Sequence, residues 1–334
     1  MNKKIFNSPM IKSISSNQEN NIESKIIYHY TSPEAFLNII KGKSVRFSDV
    51  LYLNDNSEKK YIVKILIEFC EKYNEKYPFF SKAVNELLKN NINQELKDLT
   101  ADAIKFNEET IVPYKQDRTF VFCASNDCDS LNMWNYYVNN GKYQGYSIGI
   151  NTKSFLKTFD TDVPNHIDSF IVYYGDVLYT EKEQFNEIAF LAESIENNNS
   201  LNDKMNFDAA MLKIRAYIDL QGAFYKSPKF KSENEYRILI SIDNDRIPRK
   251  KNDGEKYFGE NNKKIMEGFS TKYGLIVPFL DVTLPIDAIS RVYTAPMVEY
   301  QIAKLSAKEL LDTYDYKYNQ KSVSVIKSQI PIRF

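Results

Sequence analysis

Two histidines serve the whole 334-residue chain, and one of them, His29, stands in IIYHYTSPEAF, where a strand runs straight into a helix. An imidazole at a strand end, followed by Tyr30, Thr31, Ser32 and a helix N-terminus, suits a pocket. The free N–H groups of that first helical turn would meet phosphate or ribose oxygens. The competing reading is a core histidine whose ring nitrogens bond to backbone or to a tyrosine. A second cluster lies in KSENEYRILI, where Glu233, Glu235 and Arg237 share one face of a strand. They form either a solvated sheet face or an ion-paired edge at which Arg237 holds Glu235 charged. Lys226 in FYKSPKF adds a cation nearby in sequence, and Arg46 in SVRFSD adds another. LNDNSE supplies Asn54, Asp55 and Glu58, residues expected in a turn that leads into a helix. Trp134 and Tyr137 lie on a helical face with core spacing.

Several chemistries lack their residues. His166 is far from His29, in a polar DVPNHID segment, and Cys123 and Cys128 have no further Cys or His beside them, so no metal is expected. No nucleophile elbow accompanies the histidine, and neither GxGxxG nor GxxxxGK[ST] occurs. Cys70, Cys123 and Cys128 read as free thiols of a reducing compartment. The N-terminus has no apolar signal run and no stretch is long enough to cross a bilayer, so a cytoplasmic protein without a membrane partner is expected.

The elements that must position these residues follow from pattern and punctuation. Ile26, Tyr28 and Tyr30 face one way from a strand and Ile27, His29 and Thr31 the other. TSPEAFLNIIKG reads as a helix with Thr31 or Ser32 as cap, a Thr31–Glu34 capping-box spacing, Pro33 in the first turn and Gly42 at the close. A helix is expected from about 57 to 77, and two more between 79 and 107. RTFVFCAS, YQGYSIGIN, SFIVYYGDVLY, ENEYRILISI, YGLIVPFLDV, AISRVYTAP and SVSVIKSQIPIRF read as strands or extended segments. DSLNMWNYYVNN and VEYQIAKLSAKELLDTY read as helices, and two more fill 181 to about 221. The lysine-rich stretch around Arg249–Lys251 is a solvated loop or, less simply, a phosphate-contacting one.

Helices interspersed among successive strands without a βαβ rhythm give an α+β fold, with a mixed, mainly antiparallel central sheet and peripheral helices. The organisation expected is a flexible N-terminal arm over 1–24 and a single domain over 25–334 with helical insertions at about 57–110 and 181–222. Lys+Arg and Asp+Glu both number 44, so charge balance alone does not call for nucleic acid or an anionic membrane. Tyrosine (24) and phenylalanine (21) far outnumber tryptophan (1), which suits sheets and aromatic-lined pockets.

As an ordered set, YHYTS, VRFSD with LNDNSE, FCASND with LNMWNYY and GYSIGI, YKSPKFKSENEYR and IKSQIP resemble the bacterial domain of unknown function family twenty-nine seventy-one, over roughly residues 25–333. Asn56 stands where that family usually has proline, and Tyr136 where histidine is frequent. A strand histidine followed by Thr-Ser and a helix, with a late strand glutamate, looks in turn like the His-Tyr-Glu branch of the ADP-ribosyltransferase superfamily. That resemblance implies His29 on the NAD ribose, Glu235 on the nicotinamide ribose as the catalytic carboxylate, and Tyr146 or Tyr137 stacked on nicotinamide. Arg46, Lys226 and Arg237 would hold the pyrophosphate, and Tyr30, Thr31, Ser32, Asn54, Asp55, Glu58 and Trp134 would complete the nucleotide site. The function implied is an NAD-consuming ADP-ribosyltransferase or NAD glycohydrolase, a toxin or anti-phage effector, with NAD as substrate and a protein or nucleic-acid acceptor. The alternative is a non-catalytic sensor or binding module that recognises a nucleotide, phage component or protein partner through the same pocket.

Overall fold

The structure is a computed structural model that describes residues 10–14, 22–52, 57–100, 117–138, 142–159, 170–197, 204–243, 247, 265–272 and 274–332; for 57–60, 90–100, 117, 204, 243 and 272 only the backbone is described. In chain order its elements are β1 (Lys12–Ile14), β2 (Ile26–Thr31), α1 (Pro33–Gly42), β3 (Ser44–Asp49), α2 (Ser57–Tyr73), α3 (Pro78–Thr100), β4 (Asp117–Ser125), α4 (Leu131–Tyr137), β5 (Tyr146–Asn151), α5 (Thr152–Leu156), β6 (Phe170–Asp176), α6 (Glu181–Glu196), α7 (Lys204–Gln221), β7 (Glu235–Asp243), β8 (Ile265–Lys272), β9 (Leu275–Thr283), β10 (Ile289–Thr294), α8 (Tyr300–Thr313), β11 (Lys317–Tyr318), β12 (Lys321–Ser322) and β13 (Ser324–Lys327). The chain divides into two compact units. One comprises Met1–Lys12, Leu53–Arg118 and Gly175–Lys231; the other comprises Ser13–Tyr52, Thr119–Tyr174 and Ser232–Phe334.

The first unit is helical, built on α2, α3, α6 and α7. Aromatic rings fill it: Phe69 meets Phe80 and Phe185 edge-on at centroid distances of 6.0 and 5.5 Å. α6 starts on a complete capping box, the Thr180 hydroxyl accepting from the Glu183 N–H while the Glu183 carboxylate accepts from that of Thr180. α2 stops at Tyr73, short of the expected 77, because the chain must turn before Pro78, and the residue ahead of a proline is pushed out of the helical region. Where two helices were expected from 79, one continuous helix runs to Thr100; no glycine or proline interrupts Phe79–Thr100 to break it.

The second unit carries an 11-stranded sheet among the described residues, in the order β1-β6-β7-β4-β2-β5-β10-β13, with β3 paired to both β4 and β9, and β8 to β9. The β2–β4, β2–β5, β3–β4, β3–β9, β8–β9 and β5–β10 pairs are antiparallel and β10–β13 is parallel. This is the mixed, mostly antiparallel α+β architecture expected from the sequence. β4 is the branch point: β3 pairs with it at Phe120 and Val121, and β2 at Ser125. β1 falls within the stretch read as a flexible arm; Ile11 beside it is wholly buried. β8, IMEGFSTK, was not foreseen, because its polar residues and Gly268 obscure the alternation.

Period-two alternation separates the two sides of the central strands. One side holds the main core: Ile27 of β2, Phe120, Phe122 and Ala124 of β4, Ile148 and Ile150 of β5, and Tyr236, Ile238, Ile240 and Ile242 of β7. The other side holds a smaller core in which Tyr28 and Tyr30 of β2 meet Met133, Trp134 and Val138 at α4. Gly145 lets α4 and β2 come close: a Cβ there would lie 2.3 Å from the Thr31 carbonyl oxygen and 2.5 Å from Val138 Cγ1.

Candidate functional site

β7 begins with a change of backbone hand. A short 3-10 turn ends at Glu233, Asn234 takes a left-handed conformation (φ 45°), and the strand starts at Glu235. Asparagine tolerates that region better than most residues. The kink is tied to the end of β4: the Asn126 N–H donates to the Asn234 carbonyl at 2.7 Å, and the Ser125 hydroxyl to that of Glu233 at 2.8 Å. The two strands therefore hold Glu233, Asn234 and Glu235 from both sides of the turn.

Glu235 and Arg237, two residues apart, share a strand face, and the Arg237 Nε–H donates to Glu235 Oε2 at 2.6 Å. Their side chains are 4% and 3% exposed, which removes the solvated-face alternative. Because Tyr236, Ile238 and Ile240 face the main core, Glu235 and Arg237 face the side of Tyr28, Tyr30 and α4. Tyr137, at the end of α4, lies within electrostatic range of this pair and is half-exposed. Burial pushes its hydroxyl pKa well up, the negative charges of Glu235 and Glu233 and the nearby Cys123 add to that, and Arg237 opposes it. A buried carboxylate–guanidinium pair, a second buried carboxylate in Glu233 and a phenol thus occupy one neighbourhood. Such a concentration of buried ionisable groups around a phenol of raised pKa marks a functional-site candidate.

His29 is on the other side of the sheet. Its ring tilts against Phe122 of the main core at a centroid distance of 4.9 Å, and Nδ1 lies 3.1 Å from the Cys123 carbonyl oxygen. A carbonyl only accepts, so the neutral ring carries its proton on Nδ1 and leaves the Nε2 lone pair free of that bond. Burial lowers the imidazole pKa, and the Cys123 carbonyl only partly offsets this. His29 and Glu235, both expected at one NAD, lie on opposite sides of the sheet: Glu235 is on the Tyr137 side and His29 on the Phe122 side, with β4 between their strands. A single residue of β4, Cys123, links the two sides: its carbonyl holds His29 and its side chain lies within electrostatic range of Tyr137.

The remaining expected site residues are dispersed. Tyr30 is buried, its hydroxyl donating to the Asp127 carbonyl and accepting from the Ser130 N–H, both at 2.8 Å. Trp134 is wholly buried edge-on to Tyr30, and its indole N–H donates to Asp129 at 2.7 Å. Both are packing residues, with their polar atoms already matched. Thr31 is buried in β2 opposite Tyr146. Ser32, rather than Thr31, caps α1, accepting from the Ala35 N–H, because Thr31 still belongs to the strand. The left-handed residue that closes α1 is Lys43, one position after Gly42.

Of the two candidate stacking tyrosines, Tyr137 is beside Glu235; Tyr146 instead stacks on Phe36 at 4.3 Å, within reach of Ser306 of α8. Arg46 points outward from β3, against Asp281 at 3.6 Å and over the Phe279 ring. Lys226 belongs to the helical unit, buried with its Nζ over the Phe230 ring. Asn54, Asp55 and the side chain of Glu58 lie outside the described residues, as do His166 and Arg249–Lys251. Cys123 was missed as a member of the site and Glu233 was seen only as a strand neighbour; nothing in the sequence states that β4 and β7 pair.

Residues 133–238 match the family described as Protein of unknown function (DUF2971). Over that stretch, about a third of its length, the chain is similar to that family. The match runs from α4 into β7 and so spans Tyr137, Glu233, Glu235 and Arg237, whereas His29 and Arg46 precede it. No curated protein and no solved structure matches the chain. Among the described residues no helix is long and apolar enough to cross a membrane, and no three or more His, Cys, Asp or Glu side chains gather as metal ligands would.

Proposed function

We propose that this protein breaks the nicotinamide–ribose bond of NAD, as an ADP-ribosyltransferase or NAD glycohydrolase with Glu235 as its catalytic carboxylate. The observation that carries the reading is the buried Glu235–Arg237 pair within electrostatic range of the half-exposed Tyr137. Cleavage sends the C1′–N electron pair to nicotinamide, which leaves neutral, and the ribose becomes an oxocarbenium ion as in glycoside hydrolysis. A fixed carboxylate stabilises that cation as it forms, and Arg237 pre-orients the carboxylate at no cost at the moment of reaction. The Tyr137 ring offers a face for nicotinamide. Water or an acceptor hydroxyl then attacks C1′ and gives up its proton to Glu235 or Glu233. His29 acts here through the Cys123 carbonyl, as a positioning residue for β4. The effector setting implied by the family resemblance belongs to the same proposal.

One observation favours a second reading. His29 faces away from the carboxylates, and Arg237 already occupies an oxygen of Glu235. Both suit a binding module that recognises a nucleotide without altering it. The deciding experiment incubates wild type and Glu235→Gln with NAD labelled in the adenylate and nicotinamide moieties, with and without cell lysate. Nicotinamide release by wild type that is lost in a folded Glu235→Gln variant supports the enzyme, and the labelled product names the acceptor. Undiminished release by the variant removes Glu235 from the mechanism. NAD that raises the melting temperature yet is recovered intact supports the binding module.

A further inference from the structure

The side of the sheet that carries Glu235 has a second polar cluster at its far end. Tyr28 of β2 and Arg291 of β10 each stand opposite Gly149 of β5. A Cβ at Gly149 would lie 3.0 Å from Arg291 Cγ and 3.1 Å from Tyr28 Cε1, so the missing side chain is what lets those two stems lean together across the strand. Tyr293, two residues along β10, packs edge-on against Tyr28 with centroids 6.0 Å apart. Its hydroxyl lies within electrostatic range of Cys128, Arg291 and Tyr28. Ser147, opposite both Tyr30 and Tyr293, adds a buried hydroxyl with no partner.

Arg291, Tyr293 and Cys128 are half-buried, and among the described residues the ion pairs all lie elsewhere. Burial raises the Tyr28 and Tyr293 hydroxyl pKa values, so both remain protonated donors at neutral pH. Asp127 is the acidic side chain whose charge reaches Tyr28; it is exposed, and its carboxylate already accepts from the Asp129 N–H at 3.1 Å.

We propose that Arg291, Tyr28 and Tyr293 form an anion subsite for a phosphate group, with Cys128 at its rim. A planar guanidinium fork flanked by two O–H donors matches the geometry and charge of phosphate oxygens. The subsite stands apart from the carboxylate site: its centre over Gly149 of β5 is three strand spacings from β7 in the sheet order, about 14 Å. That is too far for the pyrophosphate of an NAD whose nicotinamide ribose meets Glu235. The phosphate therefore belongs to a second ligand, and the inference holds whether or not NAD is cleaved.

Cys128 makes the subsite testable without knowing that ligand. Wild type is alkylated with iodoacetamide in inorganic phosphate and in sodium chloride of equal ionic strength, and Cys128 and Cys123 are followed separately by peptide mass spectrometry. Phosphate should slow Cys128 selectively, about tenfold when it is present at ten times its dissociation constant, as mass action requires. Arg291→Gln should abolish that protection while keeping the buried-tryptophan emission of a folded sheet unit. If Arg291→Gln does not fold, Tyr293→Phe carries the same comparison. Equal Cys128 rates in both salts, equal slowing of Cys123, or full protection in the substituted protein would each overturn the subsite.

Discussion

Replacing Arg237 by methionine tests the central claim about β7, because it keeps the buried stem and deletes only the charge and its donors. The guanidinium and the Glu235 carboxylate are 3% and 4% exposed and joined at 2.6 Å, so neither can turn to water when the other is lost. Removing one partner of such a pair leaves a desolvated charge and costs about 3–5 kcal/mol. Glu235→Gln keeps an acceptor and a similar volume and should cost less, about 1–3 kcal/mol. Combined, the two changes should cost no more than Arg237→Met alone, which is a coupling of at least about 1 kcal/mol. Trp134, the one tryptophan, is wholly buried in the same unit, so its fluorescence through a urea titration reports the relevant unfolding directly. A cost for Arg237→Met under about 1 kcal/mol, or strict additivity in the double variant, would refute the idea that the pair is a desolvated, mutually dependent unit.

Three further outcomes follow from other residues. Burial lowers the His29 pKa below its ordinary 6.5, so the folded state binds fewer protons than the unfolded one. The stability linked to His29 is then complete above that value and is lost as pH falls through the window beneath it; urea midpoints measured from neutrality down to about pH 5 should show this slope, and His29→Gln should flatten it. Gly145→Ala forces a methyl into the Thr31 carbonyl and Val138, and should destabilise the sheet unit by about 1–3 kcal/mol; a change within about 0.5 kcal/mol would mean that β5 and α4 yield freely. In the helical unit the Tyr217 and Tyr225 hydroxyls bond to each other in full burial, so Tyr217→Phe should cost about 1–3 kcal/mol by circular-dichroism-monitored unfolding, and adding Tyr225→Phe should recover part of it.

Much of the fold was legible because local rules agreed with the tertiary outcome. The alternation of β2 separated Ile27 and His29 from Tyr28 and Tyr30 correctly, and the Ser–Pro start of α1 fixed its first turn. Trp134 turned to the core as its helical spacing implied, whereas Tyr137, read on the same face, is half-exposed. Local rules failed where polar content masked the pattern, as in β8, and where the length of a helix depended on the absence of a breaker, as in α3.

The site was legible only as a set of residue types. By itself the sequence determined that Glu235 and Arg237 share a strand face, since side chains two apart on a strand always do, and it offered Tyr137 and Tyr146 as equal partners for them. Tertiary structure decided that the pair is buried, that Tyr137 and not Tyr146 lies within its electrostatic range, and that His29 is turned to the opposite side. Each of those outcomes depends on which strands pair and in what register, here β7 with β4 and β4 with β2. Pairing joins residues a hundred positions apart through backbone hydrogen bonds, and those bonds carry no signature in the side chains that they bring together.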